Sequence, residues 1–97
     1  MKKESEFQKE LVEELSELFP GVIVFKTDAN QIQGFPDLMI LWGRHWAALE
    51  TKRATYSSKR PNQMYYVDVL NAMSFSSFIN PENKERVLHE LQRSFKS

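Results

Sequence analysis

Two apolar runs hinged on Gly43-Arg44 constrain this chain more than any other feature. Asp37-Leu38-Met39-Ile40-Leu41-Trp42 enters the hinge and His45-Trp46-Ala47-Ala48-Leu49-Glu50-Thr51-Lys52 leaves it. Two such runs across a tight turn make an antiparallel hairpin. If the turn is symmetric about Gly43-Arg44, whether its loop has two residues or four, Asp37 stands directly opposite Glu50. Directly paired side chains share one face, with Cβ atoms roughly 4.5 to 5.5 Å apart. An odd-length loop would move one carboxylate to the other face. Each acid sits in an otherwise apolar stretch, where an ionised carboxylate is expensive to bury. Side by side they repel unless one is protonated or a cation lies between them. A hard divalent ion such as Mg²⁺ meets that need, because it takes one or two protein carboxylates and leaves its other positions to water and phosphate. Lys52, two residues after Glu50, falls on the same face and can neutralise charge developing on a phosphate.

The rest of the chain supplies the surroundings of a hairpin. Phe7, Leu11, Val12, Leu15, Leu18 and Phe19 recur at helical spacing between glutamates, which predicts an amphipathic helix over residues 4–19. Pro20-Gly21 ends it, and Val22-Ile23-Val24-Phe25 reads as a short strand. Residues 27–33 are polar and loop-like. After a basic connector at residues 57–60, Pro61 suits a first helical turn, and the helix runs to Met73. Residues 74–79 read as a strand, and Asn80-Pro81 as the cap and first turn of a last helix marked by Val87, Leu88, Leu91 and Phe95. The order is α-β-β-β-α-β-α, an α/β fold with a mixed sheet flanked by helices. No repeat or linker interrupts it, so residues 1–97 are expected to form a single domain.

Composition narrows the chemistry. Thirteen Lys plus Arg balance thirteen Asp plus Glu, so any nucleic-acid contact must come from local patches. With 41 % hydrophobic residues the chain has material for a core and does not read as disordered. Cysteine is absent and only His45 and His89 are present, which excludes thiol catalysis, disulfide scaffolds and Cys-ligated metals. A metal here must be held by oxygen. No apolar run is long enough to span a bilayer and the N-terminus lacks a secretory pattern, so the expectation is a protein that stays in the cytoplasm of the cell that makes it, with no membrane partner. Nothing points to a small-molecule organic cofactor.

At this point the sequence resembles a known family. Gly34-Phe35-Pro36-Asp37-Leu38 followed by Leu49-Glu50-Thr51-Lys52 is similar to the G-x-P-D … E-x-K signature of the PD-(D/E)XK nucleases. Glu4 leading the first helix, Lys26 ending the first strand and Pro61-x-Gln63 opening the next helix extend the resemblance to the small stand-alone VRR-NUC (virus-type replication-repair nuclease) domains. It covers about residues 4–80. It implies a three-layer, restriction-endonuclease-like core and a Mg²⁺- or Mn²⁺-dependent endonuclease. The implied substrate is DNA, including branched forms such as Holliday junctions or flaps, cut by a homodimer. Asp37 and Glu50 would be metal ligands with the carbonyl of Thr51, Lys52 the catalytic lysine, Glu4 a helix-borne acid reaching the metal through water, and Gln63 a helper at the edge. Glu6 competes with Glu4 for that role.

Lys26, Arg53, Lys59 and Arg60 are the expected DNA contacts, because a locally basic segment beside a metal site suits a phosphate backbone. Phe75, Phe78, Tyr65 and Tyr66 read as core, Trp42 and Trp46 as candidates for a partner surface, and the two histidines as surface residues. Neutral charge favours a shaped DNA over tight, indifferent duplex binding. Two other readings of the chain stand beside hydrolysis. One is a non-catalytic nucleic-acid-binding module on the same fold, the other a protein-interaction domain that uses the acidic first helix.

Overall fold

The structure is a computed structural model and describes residues 3–96; residues 1, 2 and 97 of the expected single domain lie outside them. Three helices and four strands follow the expected order: α1 (Glu4–Leu18), β1 (Ile23–Lys26), β2 (Leu38–Trp42), β3 (His45–Thr51), α2 (Pro61–Met73), β4 (Ser76–Ile79) and α3 (Lys84–Lys96). The strands form one mixed sheet in the order β1-β2-β3-β4, antiparallel at the first two junctions and parallel between β3 and β4. Parallel pairing there requires a crossover, and α2 is that crossover.

Strand alternation divides the sheet into two unlike faces. Leu38, Ile40, Ala47, Leu49 and Ile79 point to a core shared with Phe7, Leu11 and Leu15 of α1 and Val87, Leu88, Leu91 and Phe95 of α3. The two helices are also joined at the surface by Lys84–Glu14 at 2.9 Å. The opposite face receives α2, which packs on β3 and β4, with Val67 and Leu70 turned inward beside buried Ala48. The molecule is thus three layers deep. Beyond the reach of α2, this second face is open along β1 and β2. No helix among the described residues is long and apolar enough to cross a membrane.

Several local readings are corrected. Asn80 and Pro81 do not start α3. The Asn80 Oδ1 accepts from the backbone N–H groups of Glu82 and Asn83, so it closes a separate turn, and the helix begins three residues later than Pro81 at Lys84. β4 is shorter than residues 74–79, because Ser74 is still tied to α2, its N–H donating to the Leu70 carbonyl at 2.9 Å. Trp42 faces the interior of its own chain: its ring lies 5.0 Å from Phe19 and 6.1 Å from Phe95, and its Nε1 donates to the Pro20 carbonyl. His45 is not a free surface residue, since it stacks on Phe95 at 5.3 Å. Tyr65 is not core but 60 % exposed.

Candidate active site

The register of the hairpin builds the site. Leu38 pairs with Leu49 and Trp42 with His45, so the turn is the two-residue Gly43-Arg44 and the next step of the ladder places Asp37 and Glu50 at the same end of the sheet. Gly43 adopts φ +61°, the backbone state a two-residue hairpin turn demands.

Asp37 is held by three donors. Its Oδ1 accepts from the Thr51 N–H at 3.0 Å, and its Oδ2 accepts from the Thr51 hydroxyl and from Gln8 Nε2, the latter at 2.7 Å. Gln8 Nε2 also donates to Thr51 Oγ1 at 3.0 Å. Gln8 and Thr51 are both buried, so this network pins the Asp37 carboxylate to α1 and β3 together. One lone pair remains on Oδ1 for a further partner.

Glu50 is in a different state. It is buried, and its carboxyl is pushed up from 4.5 to about 7, first by desolvation and then by the charge of Asp37. The Lys52 ammonium and a hydrogen bond from the Asp37 backbone pull the other way, and the Glu4 carboxylate adds to the rise. The strain of the carboxylate pair thus rests on Glu50, while Asp37 is fixed by its donors.

Lys52 and Gln63 complete one side. Lys52 Nζ donates to Gln63 Oε1 at 2.9 Å, and Gln63 Nε2 reaches Glu50 Oε2 at 3.4 Å. The same Oε1 accepts from the Arg60 N–H at 3.0 Å, so Gln63 satisfies one of the orphan donors of the α2 N-terminus while it orients the lysine. Pro61 fits this first turn because it has no N–H to satisfy.

The opposite wall is the loop between β1 and β2. Thr27 holds it at both ends of the Pro36-Asp37 step, its hydroxyl donating to the Pro36 carbonyl at 2.7 Å and its N–H to the Asp37 carbonyl at 2.9 Å. Gly34, at φ +87°, lies so close to Asn62 that a Cβ would come within 2.6 to 2.8 Å of that residue, its backbone carbon included. Glycine at this position therefore lets the loop dock on α2. A cleft of about 360 Å³ opens between the two walls, lined by Asp37 and Glu50 at its base and by Arg60, Gln63, Gln33 and Phe35.

The structure brings together Asp37, Glu50, Thr51, Lys52 and Gln63, with Arg60 on the rim. Glu4, exposed on the first turn of α1, is the helix-borne acid whose charge is felt at Glu50. Lys26 lies exposed at the end of β1 and Arg53 is exposed beyond β3. Lys59 is exposed and sits 4.9 Å over the ring of Phe78, the β4 partner of Glu50. Gln8 was not foreseen. It lies three residues before Leu11 and seven before Leu15, so a polar residue on the buried stripe of α1 was the available signal.

Among the described residues no group of three or more His, Cys, Asp or Glu side chains converges. Two carboxylates are what a Mg²⁺-type site needs from side chains when water and substrate supply the remainder. The free acceptor position on Asp37 Oδ1 and the Glu50 carboxyl are oxygen donors, the ligand type that suits Mg²⁺ or Mn²⁺. Comparison of the chain with protein-family models, with curated proteins and with solved structures returns no match.

Proposed function

We propose that this chain is a Mg²⁺- or Mn²⁺-dependent DNA endonuclease of the PD-(D/E)XK type, with a restriction-endonuclease-like core of the VRR-NUC kind. The observation that carries the reading is the buried Glu50 carboxyl at the same end of the β2–β3 hairpin as Asp37, with Lys52 linked to it through Gln63. Such a pair is costly to keep in a fold and is relieved by a cation.

Asp37, Glu50 and the Thr51 carbonyl would hold the ion. When bound, it supplies Lewis acidity toward the scissile phosphate and a more acidic water. The chain's own residues do the positioning. Gln63 holds the Lys52 ammonium beside the carboxylates, where it stabilises negative charge accumulating on the phosphate. Gln8 and Thr51 keep Asp37 from turning away. Arg60 on the rim offers a phosphate contact, and Arg53, Lys59 and Lys26 are the further candidates for the DNA backbone. Branched or flapped DNA, a homodimeric assembly and a cytoplasmic setting belong to the same reading. The alternative, a binding module without catalysis, is disfavoured by three charged side chains gathered at one end of the sheet.

The test is incubation of the purified protein with linear, flapped and four-way DNA in Mg²⁺, Mn²⁺ or EDTA. Cleavage that requires the metal, and falls at least about 100-fold in Lys52→Ala, is the expected result. Full activity in Lys52→Ala eliminates this mechanism.

A further inference from the structure

The face of the sheet that α2 leaves open carries an apolar surface that the hydrolytic centre does not use. Val24 and Ile40 turn to the core, so their strand neighbours turn the other way, and Ile23, Phe25 and Leu41 are 59 %, 47 % and 37 % exposed. Phe25 pairs with Met39, and Ile23 with Leu41. Over this row, the β1–β2 loop brings Ile32, itself 43 % exposed. Between loop and sheet runs a groove of about 470 Å³, walled by Phe25, Ile32, Phe35 and Met39.

Its position sets it apart from an ordinary apolar patch. Thr27 and Phe35 line both this groove and the cleft that holds Asp37 and Glu50, so the two are joined through shared walls. Phe35 is in turn braced by Tyr66 of α2 at 5.7 Å between ring centroids. Rings at Phe25 and Phe35 and the amide of Gln31 in the groove wall are what a nucleobase needs: π-faces for stacking and a polar group for its edge. Arg60, in the cleft, is placed for the phosphate of the same strand. Asp28, the acidic residue of the groove wall, is engaged by the loop itself, its Oδ1 accepting from the Asn30 N–H at 2.9 Å.

We infer that this groove receives an unpaired nucleobase next to the scissile phosphate, so that the substrate is DNA with a single-stranded segment, a flap or a free end, rather than a fully paired duplex. A paired base cannot enter, because its faces and edge are already used in the stack. The inference rests on the nuclease reading and narrows its substrate.

The experiment measures binding without cleavage and then cleavage. In EDTA, fluorescence anisotropy of the full chain is read with a labelled single-stranded oligonucleotide, a flap and a blunt duplex, for the native protein, Phe25→Ala, Phe25→Trp and Ile32→Asp. The expected result is tighter binding of single strand and flap than of duplex, a loss of about 10-fold in Phe25→Ala, retention in Phe25→Trp, and a loss in Ile32→Asp, whose substitution lies in the loop. Circular dichroism confirms that the variants fold, and Ile32→Asp carries the test should Phe25→Ala unfold. Equal affinity for flap and blunt duplex, or undiminished single-strand binding in the folded groove variants, overturns the inference. So does a change of sedimentation from dimer to monomer in Phe25→Ala, which would make the groove a subunit interface. Groove-dependent binding without cleavage in Mg²⁺ or Mn²⁺ upholds the groove and defeats the nuclease reading. Cleavage of duplex and flap alike, unchanged in the groove variants, does the reverse.

Discussion

Glu50 is 7 % exposed, and burial with the charge of Asp37 raises its carboxyl from 4.5 to about 7. Between those values the folded chain holds a proton that the unfolded chain has released. Stability is therefore highest below about pH 4.5 as far as this group is concerned, and it is lost as pH rises through about 7. The shift corresponds to about 3 kcal/mol across that window. Glu50→Gln removes the charge and keeps the shape. It should raise the unfolding midpoint near pH 8 by roughly 10 °C or more, leave it little changed near pH 5, and abolish cleavage. Thermal melts at the two pH values check this, and a destabilised variant at pH 8 would refute it. Asp37→Asn should differ, because an amide nitrogen would replace an oxygen that accepts from Thr51 or Gln8, at a cost of about 1 to 3 kcal/mol. Denaturant titration reads that cost. The carboxylates and Lys52 were legible in the sequence because strand alternation and a short turn leave little freedom in where they go. Gln8 was not, since nothing local distinguishes an amide bonded to Asp37, 29 residues away, from one in solvent.

The elements that frame the site differ in how plainly the sequence announced them. The β2–β3 hairpin was readable because Gly43-Arg44 leaves one symmetric pairing, and α1 because its apolar residues repeat at helical spacing against glutamates. The start of α3 was misplaced because Asn80 can close a turn as readily as it caps a helix, and which it does depends on Asn83. The ordering of the β1–β2 loop depends on a contact with α2 invisible in the linear chain. Gly34→Ala tests that contact. A Cβ there meets the Asn62 backbone and demands φ +87° of an alanine, so a loss of about 2 to 4 kcal/mol is expected. Urea unfolding should show it, together with reduced cleavage, since the cleft wall carries Asp37. A near-neutral effect would mean that the loop does not dock as described.

At the scale of the molecule, the sheet separates two tasks. Its α1 and α3 face buries the core, while the face toward α2 and the open β1–β2 surface hold the polar cleft and the apolar groove. A net charge of zero leaves binding to these local features. Because a ligand that binds only the folded state stabilises it by mass action, Mn²⁺ should raise the melting temperature of the native chain and leave Glu50→Gln unmoved. The most direct test of the central claim is calorimetric titration of Mn²⁺ into the native protein, Asp37→Asn and Glu50→Gln, in two buffers of different ionisation enthalpy near pH 7. The expected result is one ion per chain, bound with net release of protons because burial beside Asp37 holds the Glu50 carboxyl above its ordinary range, and no binding to either variant. Absence of Mn²⁺ binding to the native chain, or binding undiminished in both variants, would contradict the account.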